Sequence, residues 1–140
     1  MSEQSDSQKE LSKQKGIRQA EDDLVIWIQY ALDKTNYGDL EESQFRNLVR
    51  VADTTESAEV IKNFIHYQVG RDKKWGRGKG SLAEKIIEDI DGNIKKAAQI
   101  IAECCETDYK PTWIELIRRY LGYGARHLKY LHDGKSNVNI

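Results

Sequence analysis

Between Arg71 and Lys79 the chain places five cations, Arg71, Lys73, Lys74, Arg77 and Lys79, against a single acid, Asp72, with Trp75 among them. Cations of this kind neutralise phosphates and release their counterions, and an indole offers a face on which a base can stack. Gly76, Gly78 and Gly80 interrupt the segment, so it reads as a mobile loop whose backbone can approach a strand closely. The chemistry this suggests is binding to a nucleic-acid backbone.

A second basic run lies near the C-terminus. Arg118, Arg119, Arg126, Lys129 and Lys135 alternate with Tyr120, Tyr123 and Tyr130. At about 100° per residue the first four cations fall off the Ile114–Ile117–Leu121–Leu128 stripe, so a basic, tyrosine-rich exposed side is expected. Dipole complementarity at a helix C-terminus explains such cations equally well. The glycine-rich loop has only a superficial likeness to a phosphate-binding P-loop. Lys79 is followed by Gly80 rather than Ser or Thr and no strand precedes it, which argues against nucleotide binding.

The remaining reactive side chains are sparse. His66 stands alone, His127 and His132 are poorly spaced for one helix face, and no carboxylates converge on them, so no metal and no cofactor is expected. Adjacent Cys104 and Cys105 do not readily bridge each other and read as thiols of a reducing compartment. Arg126 followed by His132 resembles the Arg-x5-His motif of helical HEPN ribonucleases, in which both side chains act on the scissile phosphate and dimerisation usually assembles the site. That is the enzymatic alternative to a binding role.

These groups need helices to carry them. Apolar residues recur at helical spacing: Leu24, Ile28, Ala31 and Leu32 in a helix over about 21–33, and Phe45, Leu48, Val49 and Ala52 in a second opened by Asp39 and Glu42. A third carries Ala58, Ile61, Phe64, Ile65 and Val69 and ends at Gly70. Ser81 with Glu84 opens a fourth through Leu82, Ile86, Ile87 and Ile90, and Asp91-Gly92-Asn93 bends or breaks it before Ile94, Ala97, Ala98 and Ile101. The last starts beside Pro111, with Thr112 and Glu115 as its capping pair, and reaches about His132. Gly122 and Gly124 within it mark close helix contact.

The fold expected is therefore all-α, a single-domain bundle of five to six helices over 19–133, with a disordered tail over 1–18 and a flexible one over 134–140. Residues 1–15 lack the apolar run of a secretory signal, and no stretch is long and apolar enough for a membrane, so a cytoplasmic protein is expected. With 22 Lys+Arg against 23 Asp+Glu, net charge carries no argument for nucleic acid, and the distribution of charge must. The acids gather at 21–23 and 39–59, away from the loop.

Three segments, taken in order, carry a family resemblance: Glu42-Ser43-Gln44-Phe45-Arg46-Asn47-Leu48, then Ile61 to Arg71 with His66-Tyr67-Gln68-Val69-Gly70-Arg71, then Tyr120 to Leu131 with Gly122-Tyr123-Gly124-Ala125-Arg126-His127. This order resembles the small helical subunit of type III CRISPR effector complexes, of the Csm type, over residues 39–132. Glu42 stands where that family commonly has Thr, and the loop with Trp75 is longer. The resemblance implies a non-enzymatic protein that contacts guide and target RNA through their backbones, stacks with copies of itself and touches other subunits. Carried over by position, Arg46, Lys62 and Arg71 are the candidate phosphate contacts. Lys73, Lys74, Arg77 and Lys79 from the loop join them on charge and flexibility, Trp75 as a stacking face, and Arg118, Arg119 and Arg126 from the last helix on charge. A plain protein-interaction module, in which the cations pair only with acidic partners, is the further alternative.

Overall fold

A computed structural model describes residues 5–138, with side chains to residue 134. Helix follows helix: α1 (Asp6–Lys34), α2 (Glu42–Thr54), α3 (Ala58–Arg71), α4 (Leu82–Asp89), a π-helical turn (Ile90–Ile94), α5 (Lys95–Cys105) and α6 (Tyr109–Val138). Because α4, the π turn and α5 run on without a break, they form one rod. Among the described residues there is no strand, only an isolated bridge between Asn36 and Ser81. The all-α, single-domain expectation is met, and no helix among the described residues is long and apolar enough to cross a membrane.

The expected stripes form the core. Leu24, Ile28, Ala31, Phe45, Leu48, Ile61, Ile65, Ile86, Ile90, Ile94, Ala98, Ile117 and Leu121 are all buried in one cluster. α1 and α6 lie side by side and parallel: Glu21 pairs with Arg119, and Asp33 twelve residues on pairs with His127. α2 crosses them in the opposite sense, since Glu42 meets His132 and Ala52 meets Arg118. Gly124 sits at the three-way crossing, where a Cβ would come within 2.6 Å of Phe45 Cζ and 2.8 Å of Ile28 Cγ1. Gly122, by contrast, faces open space. Of the two glycines expected at close contact, one is there.

Several boundaries differ from expectation. A tail over 1–18 is not what the described residues show: α1 starts at Asp6, and Ile17 is fully buried. The Lys, Gln and Glu that make 6–20 look disordered are also good helix formers. Ser5 opens the helix, its Oγ accepting from the Gln8 amide at 3.1 Å while Gln8 Oε1 accepts from the Ser5 amide at 3.0 Å. Met1–Gln4 lie outside the described residues. At the other end α6 continues to Val138 rather than stopping near His132, and the Lys135 side chain lies outside the described residues.

Of the three capping pairs, Ser81 with Glu84 forms by half: Ser81 Oγ accepts from the Glu84 amide at 3.2 Å, while the Ser81 amide donates to the Gly78 carbonyl. α2 opens at Glu41 instead of Asp39, with Gln44 Oε1 accepting from the Glu41 amide. α6 opens a turn before Thr112: Asp108 Oδ1 accepts from the Lys110 amide, and Thr112 is buried inside the helix. Asp91-Gly92-Asn93 does not break the rod. The widened π turn absorbs it, and the Ile90 carbonyl accepts from the Trp113 indole at 2.8 Å.

Gly124→Ala is expected to destabilise the protein by about 1–3 kcal/mol through overpacking against Phe45 and Ile28. Gly122→Ala is expected to stabilise it by up to about 1 kcal/mol, because helix propensity rises where nothing clashes. Urea unfolding of the two variants against the parent reads both signs.

Candidate nucleic-acid interface

The loop that joins α3 to α4 is held, not mobile, and Trp75 is the reason. Its indole is fully buried and stacks on Phe45, with ring centroids 5.7 Å apart and planes inclined by 23°. Burying an indole of roughly 200 Å² contributes about 5 kcal/mol. The Nε1–H has no partner among the described residues; even an unmade bond there would cost only about 1–3 kcal/mol, so burial wins. Trp75 is thus a core residue and presents no face to a base, which corrects the stacking role expected of it.

Backbone bonds fasten the rest of the loop to the α1–α2 connection and to the start of α4. The Gly38 amide donates to the Lys74 carbonyl, the Asn36 amide to the Gly80 carbonyl, and the Ala83 amide to the Trp75 carbonyl, at 2.9–3.1 Å. At the loop's start Asp72 caps α3 and turns the chain, one carboxylate oxygen accepting from the Lys74 amide at 2.9 Å and the other from the Gln44 side chain at 3.3 Å. Gly76 has φ +76°, and a Cβ there would stand 2.3 Å from the Asn36 carbonyl oxygen. That close approach admits only glycine.

The start of α4 offers nothing to a phosphate. The Leu82 amide donates to the Asn36 carbonyl, that of Ala83 to Trp75, that of Glu84 to Ser81 Oγ, and that of Lys85 to the Ser81 carbonyl. A nucleotide cradle needs such donors free.

The candidate cations divide into two sets. Arg46, Arg71, Lys73, Arg77 and Lys79 are exposed and have no acid partner among the described residues. Arg126 is exposed too, its guanidinium lying 5.9 Å from the centre of the Tyr123 ring. The other four are committed within the fold. Lys62 reaches Glu59 at 2.8 Å and Asp91 at 2.9 Å. Burial works to lower its pKa, but its hydrogen bonds to Asp91 and Glu59 outweigh that and raise it. Lys74 bonds Glu41 at 2.9 Å, which raises its pKa and lowers that of Glu41.

Arg118 ties the end of α2 to α6, donating to the Ala52 carbonyl at 2.8 Å, to the Thr55 carbonyl at 2.9 Å and to Glu56 at 3.2 Å. Arg119 pairs with Glu21 at 2.7 Å. Their position off the apolar stripe was legible; the acids and carbonyls waiting on α1 and after α2 were not.

The tyrosines of α6 separate as well. Tyr130 is 70% exposed and stacks on His127, and Tyr123 is half-buried. Tyr120, expected on the wet side, is instead fully buried. Arg126 and His132 point about 120° apart around α6. Arg126 lies over Tyr123, whereas His132 meets Glu42 at 3.1 Å. A single copy of the chain does not bring the HEPN-like pair together. No three His, Cys, Asp or Glu side chains among the described residues gather as metal ligands. Cys104 is exposed and Cys105 buried, both as free thiols, and burial pushes the Cys105 thiol up.

One buried polar node went unnoticed in the sequence. Tyr120 Oη donates to Asp89 Oδ2 at 2.6 Å, and Lys85 Nζ lies 3.4 Å from Asp89 Oδ1. Burial raises the Asp89 pKa against the opposing pull of Tyr120 and Lys85, and burial with the Asp89 charge pushes the Tyr120 phenol well up. Asp89 is 1% exposed, so no substrate reaches it and its role is to join α4 to α6. No family model matches this chain, and no curated protein or solved structure matches it.

Because Asp89 holds its proton more tightly folded than unfolded, its contribution to stability falls as pH rises from about 4 through the raised folded value. Asp89→Asn removes that fall. Relative to the parent, the variant is expected to gain stability as pH rises through this window, read as the difference in urea midpoints measured at steps of pH. A difference that stays flat with pH contradicts the assignment.

Proposed function

We propose that this chain is a non-catalytic RNA-binding subunit of a type III CRISPR ribonucleoprotein, acting in the cytoplasm. It contacts guide and target RNA through the backbone and packs against other subunits and copies of itself. The ordered likeness of residues 39–132 to that small-subunit family supports the assembly. The observation that carries the RNA part is the connection after α3: Arg71 at the end of α3, and Lys73, Arg77 and Lys79 on the loop fastened by Trp75, stand exposed with no acid partner among the described residues. Cations held on a fixed backbone lose less freedom on binding than cations on a floppy one.

Phosphate contacts position a subunit without reading bases, as a protein serving any guide sequence requires. With Trp75 in the core, the loop itself supplies charge and no stacking face. Arg46 on α2 and Arg126 on α6 are the further exposed cations of this reading. Lys62, Lys74, Arg118 and Arg119 serve the fold.

The log of RNA affinity is expected to fall with the log of salt, at a slope of about −0.7 per phosphate neutralised on a single strand. Lys73→Ala and Lys79→Ala should each flatten that slope by roughly this amount, while Lys62→Ala leaves it unchanged. Fluorescence anisotropy with a labelled single-stranded RNA of mixed sequence, titrated at several salt concentrations, gives the slopes. Equal slopes for the parent and the loop variants would overturn the assignment.

A further inference from the structure

A trough runs between α3 and the α4–π rod, with Arg77 and Gly78 of the loop at its edge. It consists of two adjoining hollows of about 450 and 530 Å³ that share His66, Ile87 and Asp91. Its apolar lining comes from Val60 and Val69 on α3 and from Ala83 and Ile87 on the rod. Val60 is 47% exposed, a large share of surface for an aliphatic side chain. From Glu59 to Val69 the α3 wall covers about 15 Å, close to three turns of a helix laid alongside it.

The charge around this trough is mostly negative. Glu84 and Glu88 stand one helical turn apart on the α4 rim, both exposed and neither paired with a cation among the described residues. Lys62 is already held by Glu59 and Asp91, so it does not offset them. Arg77 sits only where the trough meets the loop. An apolar floor beneath a carboxylate rim repels a phosphate backbone. It matches a polypeptide whose apolar residues alternate with lysine or arginine at helical spacing.

We propose that this trough docks a cationic amphipathic helix of a partner polypeptide, with its apolar residues over Val60 and Ile87 and its cations beside Glu84 and Glu88. The surface of the chain is then divided by ligand charge: exposed cations on the loop, a carboxylate-rimmed protein site in the trough. This inference stands whether or not the loop binds RNA, because it uses none of the same free cations except Arg77 at the edge.

The probe is a fluorescein-labelled synthetic peptide of leucine and lysine patterned as an amphipathic helix, with a leucine–glutamate peptide of the same pattern as control. The full chain is expected to bind the first by anisotropy and not the second. The double variant Glu84→Lys with Glu88→Lys should weaken binding by about tenfold or more, and the milder Glu84→Gln with Glu88→Gln by several-fold. Val60→Ser should weaken it several-fold without changing its salt dependence.

Asp22→Lys with Asp23→Lys reverses exposed acids elsewhere on α1 and should leave binding within about twofold. Circular-dichroism melts establish that each variant is folded, and the glutamine pair keeps the test decisive if the lysine pair is not. Equal losses from the α1 reversal and the α4 reversal would mean unspecific charge attraction and overturn the proposal. So would self-association of the parent, by sedimentation, that the α4 reversal abolishes, since the occupant would then be a second copy.

Discussion

The stack of Trp75 on Phe45 is the contact on which the functional surface depends. It draws the middle of a glycine-rich connection into the core and leaves the cations on either side in water. Asn36 and Gly38 from the α1–α2 connection then bond the loop from one side, and the first turn of α4 from the other. Phe45 is itself held where α2 crosses α1 and α6, against Gly124. A loop conformation is thus set by the same crossing that orders three helices.

Electrostatics divides the remaining surface. Counting cations along the chain overstates what is available to a ligand, because many already have acids or carbonyls to meet. Arg118 closes the gap between the end of α2 and α6, and Arg119 links α6 to α1. His127 and His132 do similar work further along the same helix, with Asp33 and Glu42. On the loop Lys73, Arg77 and Lys79 have no acid partner among the described residues, and exposed helix cations such as Arg18, Arg46, Arg50 and Lys96 have none either. What sets the loop apart is that its free cations lie close together on a segment fastened by Trp75.

Helical periodicity made most of the core legible. Ile61 and Ile65, or Ile117, Leu121 and Leu128, recur at the spacing a buried face demands and are buried. Three things were not legible, each for a physical reason. The first turns of α1 have a composition shared by disordered tails and solvated helices, and Ile17, one heptad before Leu24, was the available clue. Trp75 lies in a segment without period, so nothing local says whether its ring faces water or core. Its size is the signal, since a large indole among glycines is more valuable buried than exposed. Tyr120 and Asp89 sit 31 residues apart on different helices, and only packing makes them partners. Local pattern specifies faces; it does not specify which polar groups meet across them.

The central claim is that cations freed by the loop's geometry, and not those locked in ion pairs, contact RNA. Lysine acetylation read by mass spectrometry tests it at single residues, with and without saturating RNA. RNA is predicted to protect Lys73 and Lys79 strongly and to leave Lys62 at its own slow rate, set by Glu59 and Asp91. Lys73 and Lys79 reacting equally fast with and without bound RNA would contradict the account.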